Sequence, residues 1–118
     1  MRAAGAGLLL WLAAATGPAD AHAIVIQSTP AADAVVTGPD VTVELRFNSR
    51  IDHPRSRLTL YLPDGGGRPL SQIPGTAPDV IDAKAVGLAP GAYRLRWQVL
   101  AIDGHITRGD ISFRVVAP

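Results

Sequence analysis

The feature that most constrains the fold is an alternation of apolar and polar residues in separate segments of the chain. A period of two places every second side chain on the same face of an extended strand, so each segment has one apolar and one polar face. Strands of this kind bury one face of a sheet and expose the other, which is typical of antiparallel sheets. The segments are VTVELRF (41–47), LTLYL (58–62), YRLRWQV (93–99) and ISFRV (111–115).

Turn-forming segments separate these strands, and no segment has the apolar spacing of an amphipathic helix. Proline fixes φ and glycine permits positive φ, so clusters of these residues with aspartate predict turns. Two weaker strand candidates lie at residues 23–27 and 80–83, and for the whole chain we expect about seven short strands. We therefore predict an all-β fold, an antiparallel sandwich in which PDGGGRP (63–69) forms a hairpin tip.

The first 21 residues have the organisation of a secretory signal. Arg2 precedes the apolar run GLLLWLAAA (7–15), and Ala19-Asp20-Ala21 forms a cleavage site of small residues. The apolar run is shorter than the about 20 residues that a membrane-spanning helix needs. We therefore predict a signal peptide at residues 1–21, cleavage after Ala21, export, and one mature domain of residues 22–118.

Charge and sulfur content narrow the classes of function. Without Arg2 and Asp20, the eleven basic and ten acidic residues of the chain become ten and nine. Nucleic-acid and membrane-surface binders usually carry clustered basic residues, and the sequence contains no such run, so we expect neither partner. Cysteine is absent and the only methionine is Met1, so the mature chain contains no sulfur. Since Cu(I) prefers thiolate and thioether ligands, we expect no Cu(I) site.

The tripeptide DGH (103–105) is one candidate for metal binding. Gly104 would allow a sharp bend that brings Asp103 and His105 to one point. The alternative is an ordinary Asp-Gly hairpin turn, in which both turn positions have positive φ and His105 is a polar residue after the turn. An aspartate oxygen and a histidine nitrogen suit Cu(II), Ni(II) or Zn(II).

His22 is the second candidate because cleavage after Ala21 would make it the N-terminal residue. Its α-amine and its Nδ1 would then chelate one ion. The alternative is that the cleavage point falls at a histidine by chance and that His22 has no role. With His105 and Asp103 the ligand set has three nitrogens and one oxygen, which favours Cu(II) in a tetragonal plane. The amine is mostly protonated at neutral pH, so affinity should rise with pH. For His53 we predict a solvated loop residue, with a fourth nitrogen ligand or a supporting partner as the alternative.

Several segments resemble the CopC family of periplasmic copper-resistance proteins. They are AHAIVIQSTPAADA (21–34), VTVELRFNSRID (41–52) and LAPGAYRLRWQVLAIDGHITRGDISFRV (88–115). The resemblance implies a Greek-key β-sandwich of Ig-like type with seven strands. It also implies a site in which the amine and imidazole of His22, the carboxylate of Asp103 and the imidazole of His105 hold Cu(II).

The sequence departs from the family pattern without losing one of these ligands. Ser49 stands where the family often has glutamate, Ile106 where proline is common, and Ala32-Asp33 where Asp-Gly is usual. The methionine-rich Cu(I) site of some members is not carried over, because the mature chain has no methionine.

The leading hypothesis is a periplasmic binding protein that holds one Cu(II) ion and sequesters or delivers it in copper resistance or homeostasis. We expect a monomer, with an inner-membrane copper transporter as partner. One alternative is an oxidative copper enzyme acting on polysaccharides, but Tyr93 and Trp97 lie at core positions and leave few aromatics for a substrate surface. The other is a structural Ig-like module, which the fold alone does not exclude.

Overall fold

The computed structural model describes residues 22–118 and shows an all-β chain. The predicted signal, residues 1–21, lies outside the described residues. Within residues 22–118 no helix is long and apolar enough to span a bilayer. The strands are β1 (Val25–Thr29), β2 (Ala34–Thr37), β3 (Val41–Phe47), β4 (Ile51–Tyr61), β5 (Gly67–Leu70), β6 (Val80–Ala85), β7 (Gly91–Ala101) and β8 (Ile106–Val116).

The strands form two sheets that pack face to face. One sheet has the order β1-β3-β6 and the other the order β2-β8-β7-β4-β5. Only β4–β5 and β7–β8 are consecutive strands within one sheet, and every other connection crosses between the sheets. This is the predicted Greek-key, Ig-like sandwich. All pairs are antiparallel except that of β2 with β8, which is parallel.

The apolar residues of the alternating segments fill the space between the sheets. Leu45, Leu60 and Leu95 are fully buried there, and the rings of Phe47 and Trp97 meet edge to face with centroids 5.4 Å apart. The hydroxyl of Tyr93 donates to the Ala89 carbonyl at 2.7 Å. A tyrosine bonded to the backbone just upstream, at the start of such a strand, is a hallmark of Ig-like sandwiches.

The structure has eight strands rather than about seven, and β4 is longer than predicted. β4 begins at Ile51 instead of Leu58, because a bulge between Asp52 and Arg57 keeps the strand paired with β7. The Ser56 hydroxyl donates to the Asp52 carbonyl at 2.6 Å and accepts the Leu100 N–H at 3.1 Å. The Ser56 side chain thus replaces a backbone hydrogen-bond partner between β4 and β7. The apolar–polar pattern of the sequence does not predict such a replacement.

Candidate metal centre

The fold brings His22, Asp103 and His105 together at one end of the sandwich. One ring nitrogen of each histidine and one carboxylate oxygen lie within 4.8 Å of one another. The two imidazole centroids are 4.7 Å apart. Ligands at about 2 Å from a metal ion are separated from one another by up to about 4 Å. All three residues are solvent-exposed, although the side chain of Asp103 itself is only 21% exposed. Small rotations of the two histidine side chains therefore suffice to close the cluster around an ion.

The loop between β7 and β8 sets the positions of Asp103 and His105. Gly104 has φ +89°, and its N–H donates to the Ala101 carbonyl at 2.9 Å. The Ala101 N–H in turn donates to the His105 carbonyl at 2.8 Å. Within residues 22–118 the only non-glycine residue with positive φ is Asp33. The loop is therefore not the Asp-Gly turn with two positive φ values that the alternative interpretation required.

Asp103 is held by two hydrogen bonds from His105. The backbone N–H of His105 donates to Asp103 Oδ1 at 3.0 Å, and Nδ1 lies 2.9 Å from Oδ2. The backbone bond is the main cause that lowers the pKa of Asp103; partial desolvation opposes it, and the two histidine rings add smaller lowering effects. Since an ionised carboxylate only accepts, Nδ1 of His105 is the donor and Nε2 remains available for a metal. The pair is thus pre-oriented with a charged oxygen and a free nitrogen.

The segment that carries His22 is fixed on both sides. Ala23 is completely buried, and its carbonyl accepts a hydrogen bond from the Thr107 hydroxyl at 2.7 Å. Ile24 exchanges two bonds with Asn48: its N–H donates to Oδ1 at 2.8 Å, and its carbonyl accepts the Asn48 N–H at 3.0 Å. These contacts hold His22 beside the β7–β8 loop.

Asn48 and Thr107 are positioning residues that the sequence analysis did not find. Each is an ordinary polar residue near a strand end, and each reaches its partner across a long separation, 24 positions for Asn48 and 84 for Thr107. The only available signal is their place in the segments FNSR and HITR, next to the predicted strand exit and the predicted ligand.

His53 does not join the cluster, and the prediction of a solvated loop residue is wrong. It lies half-buried on β4, and its Nε2 lies 2.7 Å from the Val80 carbonyl, to which it donates. The Thr76 hydroxyl is 3.3 Å from the same nitrogen. Because β4 and β6 belong to different sheets, this bond ties the sheets together.

The departures from the family pattern leave the predicted ligands in place. Asp33 takes φ +62°, a left-handed conformation that glycine favours and aspartate tolerates. The Ser49 hydroxyl is buried and has no hydrogen-bond partner within residues 22–118. Ile106 opens β8 with about half of its surface exposed, 53%.

Comparisons with known proteins identify the family and the fold. A family model described as the CopC domain matches residues 25–116. Copper resistance protein C of Xanthomonas campestris pv. juglandis is 31% identical over 109 residues, which cover 86% of this chain and 85% of that protein. The crystal structure of CopC from Methylosinus trichosporium OB3b is 29% identical with a TM-score of 0.70, covering 81% and 95%. PcoC, a methionine-rich copper resistance protein from Escherichia coli, is 26% identical with a TM-score of 0.63, covering 81% and 100%.

Proposed function

The chain belongs to the CopC family, and on that premise we propose that it binds one Cu(II) ion through His22, Asp103 and His105. The observation that carries the proposal is the meeting of these residues, whose ligand atoms lie within 4.8 Å although His22 and Asp103 are far apart in sequence. Buried Ala23 and the bonds to Asn48 and Thr107 support a preformed arrangement, since they fix the chain next to His22.

The donor set accounts for the choice of oxidised copper. With His22 at the N-terminus, its amine and imidazole supply two nitrogens, His105 supplies a third, and Asp103 supplies a charged oxygen. Three nitrogens and one oxygen suit tetragonal Cu(II). The only methionine of the chain is Met1 and there is no cysteine, so soft ligands for Cu(I) are missing from residues 22–118. In this respect the chain differs from its methionine-rich relative.

The exposure of the ligands suits a protein that hands its ion on. The side chain of His105 is 65% exposed, so a partner can reach the ion directly. We propose binding and delivery rather than catalysis, because Tyr93 and Trp97 are only 5% and 7% exposed and offer no aromatic substrate surface. The proposed setting is the periplasm, reached through a cleaved signal at residues 1–21. There the protein serves as a monomer in copper resistance or homeostasis, with an inner-membrane transporter as partner.

The test compares two chains that differ at the N-terminus. One begins at His22, and the other carries one additional alanine ahead of it, which moves the free amine away from the site. Both are titrated with Cu(II) and examined by EPR. We expect a tight, nitrogen-rich tetragonal signal only from the chain that begins at His22, and a loss of that signal in its His105→Ala variant. Equal affinity in all three chains would show that the ion binds elsewhere.

A further inference from the structure

The outer face of the five-stranded sheet is strongly basic. The alternation that buries Leu95 and Trp97 turns the intervening residues of β7 outward, and the same holds on β4 and β8. The outward side chains of these three strands include two carboxylates, Asp110 on β8 and Asp52 on β4, and Asp52 pairs with Arg55 at 2.9 Å. The arginines on this surface, which we call the arginine face, are Arg57, Arg94, Arg96, Arg108 and Arg114.

The arginine face contrasts with the outer face of the other sheet. There β3 and β6 present Arg46 and Lys84 together with Glu44 and Asp82, so the charges balance. Half of the ten basic residues among positions 22–118 therefore lie on one sheet face, beside two of the nine acids. The linear sequence shows no basic run because the arginines alternate with core residues. From the sequence alone we expect no membrane-surface partner, because the sequence contains no run of basic residues. Since the fold brings separated arginines onto one surface, that reason no longer holds.

Only part of this positive charge is neutralised within the molecule. Asp110 accepts from Arg96 at 2.9 Å and from Arg94 at 3.1 Å. Within residues 22–118 no carboxylate lies within 4.0 Å of the guanidinium groups of Arg57, Arg108 or Arg114. On β4, β7 and β8 the five arginines span about 10 by 20 Å of backbone. The longer dimension is about two and a half Debye lengths at physiological salt. Arginines on adjacent strands, about 5 Å apart, or two positions apart on one strand, about 7 Å, lie within one Debye length of each other, so neighbouring charges add at an approaching anionic surface.

One end of the arginine face combines charge with apolar surface. Val35 on the edge strand β2 is 64% exposed and lies beside Arg114 in the sheet. Between them and Tyr61 opens a cleft of about 500 Å³, which Arg94, Arg114 and one carboxylate, Asp33, also line. Guanidinium groups bind phosphate oxygens through paired hydrogen bonds, and the neighbouring apolar atoms can enter the boundary beneath a lipid headgroup.

We propose that the arginine face docks this protein reversibly on a membrane surface rich in anionic phospholipid. Charge complementarity selects a phosphate surface, and laterally mobile headgroups can match five scattered guanidinium groups without a shaped groove. A nucleic acid fits less well, since the outward side chains offer a single aromatic ring for base stacking, Tyr61, and Arg94 already lies 4.3 Å above it.

Docking of this kind would place the metal centre at the membrane. The strands that carry Arg96 and Arg108 are joined by the loop that carries Asp103 and His105. A protein lying on this face therefore holds its ligands within one strand length of the lipid surface. This consequence rests on the proposed function, whereas the docking itself does not require copper.

The experiment measures co-sedimentation of the chain beginning at His22 with lipid vesicles. Vesicles contain phosphatidylcholine alone or phosphatidylcholine mixed with phosphatidylglycerol, at about 0.1 M and about 1 M salt, where the Debye length is about 10 Å and about 3 Å. The test variant is Arg108→Gln with Arg114→Gln. The control is Arg46→Gln with Lys84→Gln, which removes the same charge from the opposite sheet. Circular dichroism verifies that each variant folds, and Cu(II) EPR verifies that the metal centre is intact.

We expect binding only to the anionic vesicles at low salt. Each basic residue near an anionic membrane strengthens binding about fivefold, so the test variant should bind about 25-fold more weakly and the control within about twofold of the unaltered chain. Asp110→Asn, which removes the carboxylate that pairs with Arg94 and Arg96, should bind more tightly. Equal losses of vesicle binding in the test and control variants would overturn the proposal. Binding to polyglutamate, a polyanion without lipid, serves as a further comparison. A chain that binds polyglutamate but not anionic vesicles would also overturn the proposal. If the unaltered chain beginning at His22 binds anionic vesicles but not Cu(II), only the proposed function is contradicted.

Discussion

At the scale of single residues, Gly104 and Gly75 form a matched pair. Their φ values are +89° and +84°, and an added Cβ would meet nothing within 4 Å at either position. Alanine at both sites therefore pays the same backbone penalty, about 1–2 kcal/mol of unfolding free energy. Only Gly104 lies between two of the proposed metal ligands. We expect Gly104→Ala to weaken Cu(II) binding at least tenfold and Gly75→Ala to leave it unchanged, measured by competition titration beside urea unfolding. Equal Cu(II) affinities would mean that the bend does not position the ligands.

The carboxylate of Asp103 should contribute to Cu(II) binding equally from pH 8 to pH 5. The hydrogen bond from the His105 backbone lowers the pKa of Asp103 below its ordinary value of 3.8. A depressed pKa keeps the charged form at every pH above the ordinary value, and the charge is lost only as the pH falls through the lower folded value. Asp103→Asn retains an oxygen for the backbone bond but removes the charge.

We therefore expect the Cu(II) affinity of Asp103→Asn to lie below that of the unaltered chain by a constant factor over this pH range. Both affinities should fall together as the pH drops, because protons compete for the nitrogen ligands. Titrations at several pH values measure the ratio of the two affinities. A ratio that approaches one between pH 6 and pH 5 would show that Asp103 is already protonated there.

At the scale of secondary-structure elements, the β7–β8 pairing depends on a glycine. Gly109 lies opposite Trp97 in the register, and a Cβ at Gly109 would come within 2.5 Å of the indole ring. Overpacking of this kind costs about 1–3 kcal/mol, so we expect Gly109→Ala to lower the free energy of unfolding by that amount. Ser112→Ala, an outward position on the same strand, should change it by less than about 0.5 kcal/mol. Urea unfolding measures both values.

Rescue by a smaller ring separates the clash from other effects of the substitution. The nearest indole atom, Cζ2 at 2.5 Å, belongs to the distal six-membered ring, and a phenylalanine ring attached at the same Cβ does not reach that position. In a background of Trp97→Phe, the penalty of Gly109→Ala should therefore shrink. An unchanged penalty would place its cause in the backbone of β8 rather than in the contact with the ring.

The sequence predicts the central strands better than the edge strands. In β3 and β7 apolar and polar residues alternate with the period of two that a β-strand has, so the sequence directly predicts which face is buried. The edge strands β2 and β5 have four residues each, and turn-forming residues surround them. Their strand character comes from pairing with β8 and β4, which a local pattern does not contain.

The same distinction between local and long-range information applies to the metal centre. Asp103 and His105 are separated by one residue, and His22 is marked by the cleavage site, so local sequence signals these three residues. Asn48 and Thr107 act only through contacts with the segment before β1. Pro54 predicts a loop at His53, whereas the bulge of β4 accommodates the proline and leaves His53 bonded to Val80.

At the scale of the whole molecule, the proposed Cu(II) ion would link the two sheets. His22 directly precedes the three-stranded sheet at β1, whereas Asp103 and His105 follow β7 of the five-stranded sheet. An ion that binds all three residues in the folded state and not in the unfolded chain stabilises the fold. At a free concentration of 100 times Kd the gain is about 2.7 kcal/mol. For a domain of this size, that corresponds to a rise in Tm of roughly 10–20 °C.

Thermal unfolding with and without Cu(II) should therefore separate a bridging ion from one bound at a single loop. We expect the full rise for the chain that begins at His22, reversal by a chelator, and a smaller rise, at the same Cu(II) concentration, for the chain with one additional N-terminal residue. Thr107→Val provides an independent control, because it releases the Ala23 carbonyl without touching a ligand. Its Cu(II)-dependent rise should be reduced, since part of the binding energy is then needed to order the N-terminal segment. Equal rises in all of these chains would place the ion on the β7–β8 loop alone and remove His22 from the site.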